Sequence, residues 1–179
     1  YLLPSGQYVR GRTEQVDSPL QANALLTELR EVGARVIAQR PIPGHGAGVF
    51  LLRHRGKTLL HFAHERLHEV PYTGGVSSLR VSCHDEALVA QSERLLAQID
   101  YQGVAMCEFR KTASGEALFL EVNGRLWGSL ALALHCGVDF PRTQLAAELG
   151  LPIPPASDYP DGVRCRNVLP GEVSHLMSI

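Results

Sequence analysis

The chain has 179 residues, 45% of them hydrophobic and 20% charged, which is enough for one packed core and too apolar for a disordered segment. Its formal net charge of −1 supplies no basic field for nucleic acid or an anionic membrane, and no apolar run approaches the ~20 residues of a membrane span. Cys83, Cys107, Cys136 and Cys165 stand far apart, without a Cys-x-x-Cys pair or zinc spacing, so a reduced, cytoplasmic chain with small buried thiols is expected.

In chain order, Tyr1 to Arg12 is a short apolar start and a glycine-containing polar loop. Ser18-Pro19 supplies an N-cap and an N1 proline. Leu20, Ala24, Leu25, Leu26, Leu29 and Val32 then recur at helical spacing until Gly33 ends the helix. Val36 to Gln39 reads as a strand running into a Pro- and Gly-rich loop. Val49 to His54 and Lys57 to Arg66 read as two strands around an Arg55-Gly56 turn. Period-2 alternation puts His64, Arg66 and His68 on one face and Glu65, Leu67 and Glu69 on the other. The histidine pair lacks a third clear zinc ligand, so a solvated strand face is the simpler expectation. Asp85 to Ile99 is an amphipathic helix, and two more helices end at Gly137 and Gly150. Val163 to Arg166 reads as a returning strand in the tail that follows Pro152-Ile153-Pro154-Pro155.

The chemistry concentrates between Tyr101 and Ser129. Two apolar runs flank Ser114-Gly115, and a two-residue loop there sets Ala113 opposite Glu116. Counting outward, Phe109 faces Leu120, Glu108 faces Glu121, Cys107 faces Val122 and Met106 faces Asn123. One side of this hairpin is then core. The other gathers Glu108, Arg110, Glu121, Asn123 and Arg125, with Phe119 on the same side. Directly opposed carboxylates sit about 5 Å apart at Cβ and destabilise a strand pair unless a cation intervenes. Magnesium suits such an oxygen ligand set, because it keeps waters and bridges one or two carboxylates to phosphates. An exposed face neutralised by Arg110 and Arg125 is the alternative.

Glu108 followed by Glu121-Val122-Asn123-Gly124-Arg125 resembles the signature of the ATP-grasp superfamily, in which a Glu on one strand precedes Glu-x-Asn-x-Arg on the next. Gly103, Trp127-Gly128-Ser129 and Gly137-Val138-Asp139-Phe140-Pro141 extend the resemblance, which runs from about Ser18 to Met177. The chain is most similar to the carboxylate-amine ligases of the carbamoyl-phosphate synthase large chain and biotin carboxylase type. The resemblance implies an α+β fold, the C-terminal ATP-grasp subdomain, with a mostly antiparallel sheet and helices packed on one side. It implies ATP and Mg²⁺ (or Mn²⁺) as cofactors, with Glu108, Glu121 and Asn123 as metal ligands, Glu108 and Glu121 also in nucleotide binding, and Arg125 as the catalytic residue at the reacting phosphoryl group. Arg66 is expected at a phosphate, where a guanidinium fork suits the oxygens. The adenine hinge is expected at Gln39, Arg40 and Ile42. Pro41 lacks an N–H, which leaves those of Arg40 and Ile42 as donors.

The resemblance also implies a small-molecule carboxylate and a nucleophilic acceptor as partners, and a division into residues 1–42 as the remnant of a first subdomain, 43–155 as the C-terminal subdomain and 156–179 as a tail. The domain that precedes this module in the family is expected to be missing. Leu3 stands where the family carries a phosphate-loop lysine. A fragment or a nucleotide-binding module without catalysis of its own is therefore the rival expectation.

Overall fold

The computed structural model describes residues 14–71, 75–153, 155 and 158–179; Leu3 and its loop lie outside them. The chain divides into two units, Tyr1–Pro41 and Ile42–Ile179. In the first, α1 (Pro19–Glu31) starts as the sequence dictates, with the Ser18 hydroxyl accepting the Gln21 N–H at 3.2 Å and proline in the first turn. The strand expected at Val36 to Gln39 does not form; residues 34–43 are irregular.

The second unit is built on one antiparallel sheet. Its strands are β1 (His45–His54), β2 (Lys57–Val70), β3 (Val76–Cys83), β4 (Gly103–Lys111), β5 (Ala117–Asn123) and β6 (Arg164–Arg166), in the order β5-β4-β1-β2-β3-β6. Arg55 and Gly56 both have positive φ, 49° and 76°, so β1 and β2 meet in the two-residue turn whose twist matches the strands. Within the stretch expected as a tail, β6 forms where a returning strand is expected and pairs with β3, and Tyr159 is buried in the core.

Alternation along β1 and β4 creates two apolar surfaces. Ala47, Val49, Leu51, Ala105, Cys107 and Phe109 face α2 (Glu86–Gln98), which buries Leu88, Val89 and Leu96 against them. Asp85 caps this helix by accepting the Leu88 N–H at 3.0 Å. Phe50, Leu52, Phe62, Val104 and Met106 point the other way and pack with Trp127, α3 (Leu130–His135) and α4 (Phe140–Glu148). The α+β, antiparallel fold is as expected, with α2 layered on one side; the two short helices cover part of the opposite side. Another part of that side is charged, and there the candidate site lies.

The hairpin of β4 and β5 reaches the expected register at its site by an unexpected route. The turn holds three residues: Thr112 N–H bonds Glu116 O, and Gly115, at φ 83°, bonds back to Thr112 O, both at 2.9 Å. This shifts the register by one, so Ala113 does not face Glu116. The register shifts again between Glu108 and Phe109, where Leu120 is an extra, unpaired residue. Phe109 thus opposes Phe119 rather than Leu120, with ring centroids 5.8 Å apart, and Phe119 lies on the side away from the glutamates. Beyond the bulge the two shifts cancel. Glu108 opposes Glu121, Cys107 opposes Val122 and Met106 opposes Asn123.

Candidate functional site: an acidic pair framed by arginines

Why so many charged side chains share one sheet face begins with β1. Gly46 and Gly48 both point toward that face, and a Cβ at Gly46 would lie 2.6 Å from Arg66 Cδ and 2.6 Å from Glu69 Oε1. At Gly48 it would lie 2.5 Å from His64 Cε1. The central strand is therefore bare where side chains of β2 cross it. Arg66 uses that path to reach over β1, about 10 Å in strand spacing, and its Nη2 meets Glu108 Oε2 on β4.

Glu69 joins the same face, contrary to the simple alternation, because Leu67 is an extra residue in the β2–β3 ladder. Its carboxylate accepts from Arg110 Nη1 at 2.5 Å and lies 3.7 Å from Arg66 Nη1. Arg110 Nε also donates to Ile42 O at 3.3 Å. His64 is not on a solvated face either: it is 1% exposed and its ring packs on Phe50 at 4.7 Å. Burial, then the charges of Arg66 and Arg80, push its pKa down to about 3, so it is neutral at physiological pH. His68 instead pairs with Glu172 at 3.0 Å and stacks on His175.

At the β4–β5 end, Asn123 Nδ2 donates to Glu108 Oε1 at 2.9 Å and to Glu121 Oε1 at 3.0 Å. One amide thereby draws both carboxylates together. Asn123 Oδ1 accepts from Arg125 Nη2 at 3.4 Å, while Arg125 Nη1 donates to Leu126 O at 3.1 Å. Arg66, Glu108, Glu121, Asn123 and Arg125 form one connected network. Gln39 and Arg40 are exposed in the first unit, and Ile42, at the start of the second, touches the network through its carbonyl. Glu69 and the two glycines are the site residues that strand alternation does not indicate, whereas Arg110 shares the glutamate face as expected. The Gly-x-Gly spacing in His45-Gly46-Ala47-Gly48 was the available signal, since two glycines two apart bare one face of a strand.

The donor set fits magnesium rather than a self-sufficient cage. Two carboxylates and one amide oxygen leave room for waters and phosphate oxygens. Among the described residues no group of three or more histidine, cysteine or acidic side chains gathers to hold a metal alone. The Asn123 amide is oriented with nitrogen toward the acids, and presenting its oxygen to a cation needs only a half-turn of that group. Arg66 supplies Glu108 with a counter-charge in this arrangement.

A family model described as ATP-grasp in the biosynthetic pathway with Ter operon matches residues 36–169. A comparison with curated protein sequences finds no match. Among solved structures, the chain is similar to an N5-carboxyaminoimidazole ribonucleotide synthetase in complex with ADP, with 20% identity and TM-score 0.60, covering 75% of this chain and 37% of that one. The Thermus thermophilus synthetase of the same name gives 23% identity and TM-score 0.57, covering 75% and 39%. The biotin carboxylase domain of Hydrogenobacter thermophilus 2-oxoglutarate carboxylase, in complex with MgADP, ADP and bicarbonate, gives 16% and 0.57, covering 81% and 34%. At these identities the likeness is one of fold, and the chain spans little more than a third of each protein's length.

Proposed function

Because this chain belongs to the ATP-grasp family found in the biosynthetic pathway with the Ter operon, we propose that it is the ATP- and magnesium-binding part of a ligase. That ligase activates a carboxylate as an acyl phosphate for attack by an amine or another nucleophile. The observation that carries the reading is the opposed pair Glu108 and Glu121, drawn together by Asn123 and flanked by Arg66 and Arg125. Structures of similar fold bind ADP and MgADP, which supports a nucleotide over this sheet face.

In this reading Glu108, Glu121 and Asn123 would hold Mg²⁺, and the ion would supply neutralisation of the charge on the phosphate oxygens. Arg66 then gives up Glu108 and turns its fork to the phosphates. Arg110 keeps Glu69 occupied, so that Glu69 does not draw Arg66 back. Arg125 grips the transferring group at two points, which a lysine, as a point charge, does not reproduce.

Calorimetric titration of ATP and ADP with and without Mg²⁺ tests the proposal. The wild-type chain binds nucleotide in a Mg²⁺-dependent manner, and Glu121→Gln weakens that binding at least tenfold. The same variant leaves the urea midpoint of unfolding essentially unchanged, since Glu121 is exposed and its loss relieves like-charge repulsion. Nucleotide binding that ignores Mg²⁺ and survives Glu121→Gln would refute the metal assignment.

A further inference from the structure

Opposed carboxylates call for a cation, and two strands away the same sheet face presents the converse. Arg66 on β2 and Arg80 on β3 are direct register partners, so their side chains leave the sheet on the same side. Arg80 is only 4% exposed. Its Nη1 donates to Ser77 O at 3.2 Å and its Nη2 approaches Cys165 Sγ at 3.4 Å, both neutral acceptors. Among the described residues no carboxylate lies within ion-pair distance of it, in contrast to Arg66 and Arg110. The Nε groups of both Arg66 and Arg80 are buried without a hydrogen-bond acceptor. So is the indole N–H of Trp127, and the neutral His64, which carries a single N–H, meets no partner at either ring nitrogen; both rings pack on Phe50.

A buried guanidinium without a counter-ion costs several kcal/mol, and a buried N–H without an acceptor costs about 1–3 kcal/mol. Several such donors from adjacent positions on one face, none satisfied, do not fit a role in folding alone. We propose that Arg80, with the Nε of Arg66 and the ring of His64, forms a second site on this face that receives an oxyanion, either a carboxylate or a phosphate. Arg80 sits three strand spacings from β4, about 14 Å, while Arg66 is shared between the two sites, its Nη2 on Glu108. Within the ligase reading, on which this last step rests, the ligand is a substrate that carries an anionic group distinct from its reacting carboxyl.

Thermal unfolding of the chain in sodium acetate and in sodium phosphate, against sodium chloride at equal ionic strength and without nucleotide or Mg²⁺, tests this. A saturable rise in Tm of about 5 °C or more is expected with at least one oxyanion at a hundredfold excess over its Kd. Acetate preference marks a carboxylate ligand and phosphate preference a phosphorylated one. Arg80→Met, an unbranched apolar replacement, loses the response, and so does Arg80→Lys, which serves if the first variant does not fold. Glu121→Gln keeps it. The proposal is overturned if neither anion exceeds chloride, if the Arg80 variants respond as the wild type does, or if Glu121→Gln abolishes the response. Failure of Mg²⁺-dependent nucleotide binding with the anion response intact refutes the ligase reading and leaves this site standing.

Discussion

Gly46 and Gly48 illustrate how much of the site depends on side chains that are not there. Without them Arg66 could not lie across β1 to Glu108, nor could His64 settle on Phe50. His64 also makes the stability of the chain depend on pH in a definite direction. Its folded-state pKa is depressed from 6.5 to about 3 by burial first and by Arg66 and Arg80 next. Between those values the unfolded chain binds a proton that the folded chain refuses. The contribution is therefore fully present above pH 6.5 and is lost as pH falls toward 3, with a slope of up to about 1.4 kcal/mol per pH unit from this one group. Urea unfolding at pH 7 and pH 5 measures it. His64→Met shows a shallower loss than the wild type over that interval, and identical slopes in the two proteins would remove His64 from the account.

At the scale of elements, the β4–β5 hairpin shows what a sequence reveals and what it hides. The opposition of Glu108 and Glu121 is legible, yet the hairpin departs twice from simple pairing and the two departures cancel. The turn spans three residues because Gly115 takes up positive φ in the third position, and Leu120 then bulges to restore the pairing. Neither is encoded by alternation, since a bulge is a local exception to it. The same cause misplaced Phe119 and, through Leu67, Glu69. The bulge gives a prediction of its own. Deleting Leu120 leaves Phe119 opposite Phe109 and Glu121 opposite Glu108 in an unbroken ladder, so Mg²⁺-dependent nucleotide affinity stays within about threefold of the wild type. Deleting Phe119 instead removes the ring that packs on Phe109 and costs the chain stability. Calorimetry and denaturant unfolding of the two deletions separate the cases; equal damage from both would mean that the bulge itself shapes the site.

At the scale of the whole molecule, the fold class and most elements could be read because caps and periodicity agreed: Ser18, Asp85 and Asp139 each cap the helix that follows. The strand at Val36 to Gln39 could not, since a short apolar run carries no partner with it and residues 34–43 stay irregular. The long-range gathering of Arg66, Arg80, Arg110 and Glu69 onto one face was also beyond the sequence, because strand order β5-β4-β1-β2-β3-β6 places residues from distant parts of the chain side by side. Among the described residues no helix is long and apolar enough to cross a membrane. The second unit is organised by a single sheet face, apolar beneath α3 and α4 and charged beyond His64, where Glu69 and Glu108 interleave with Arg66 and Arg110. The acidic pair is the proposed metal seat, completed by a nucleotide. Anomalous scattering from Mn²⁺ in crystals grown with a non-hydrolysable ATP analogue tests it most directly. One dominant peak is expected within coordination distance of Glu108, Glu121 and a phosphate oxygen, with Arg66 withdrawn from Glu108. A nucleotide bound without a peak between these carboxylates, or a peak elsewhere on the chain with the Arg66–Glu108 pair intact, would contradict it.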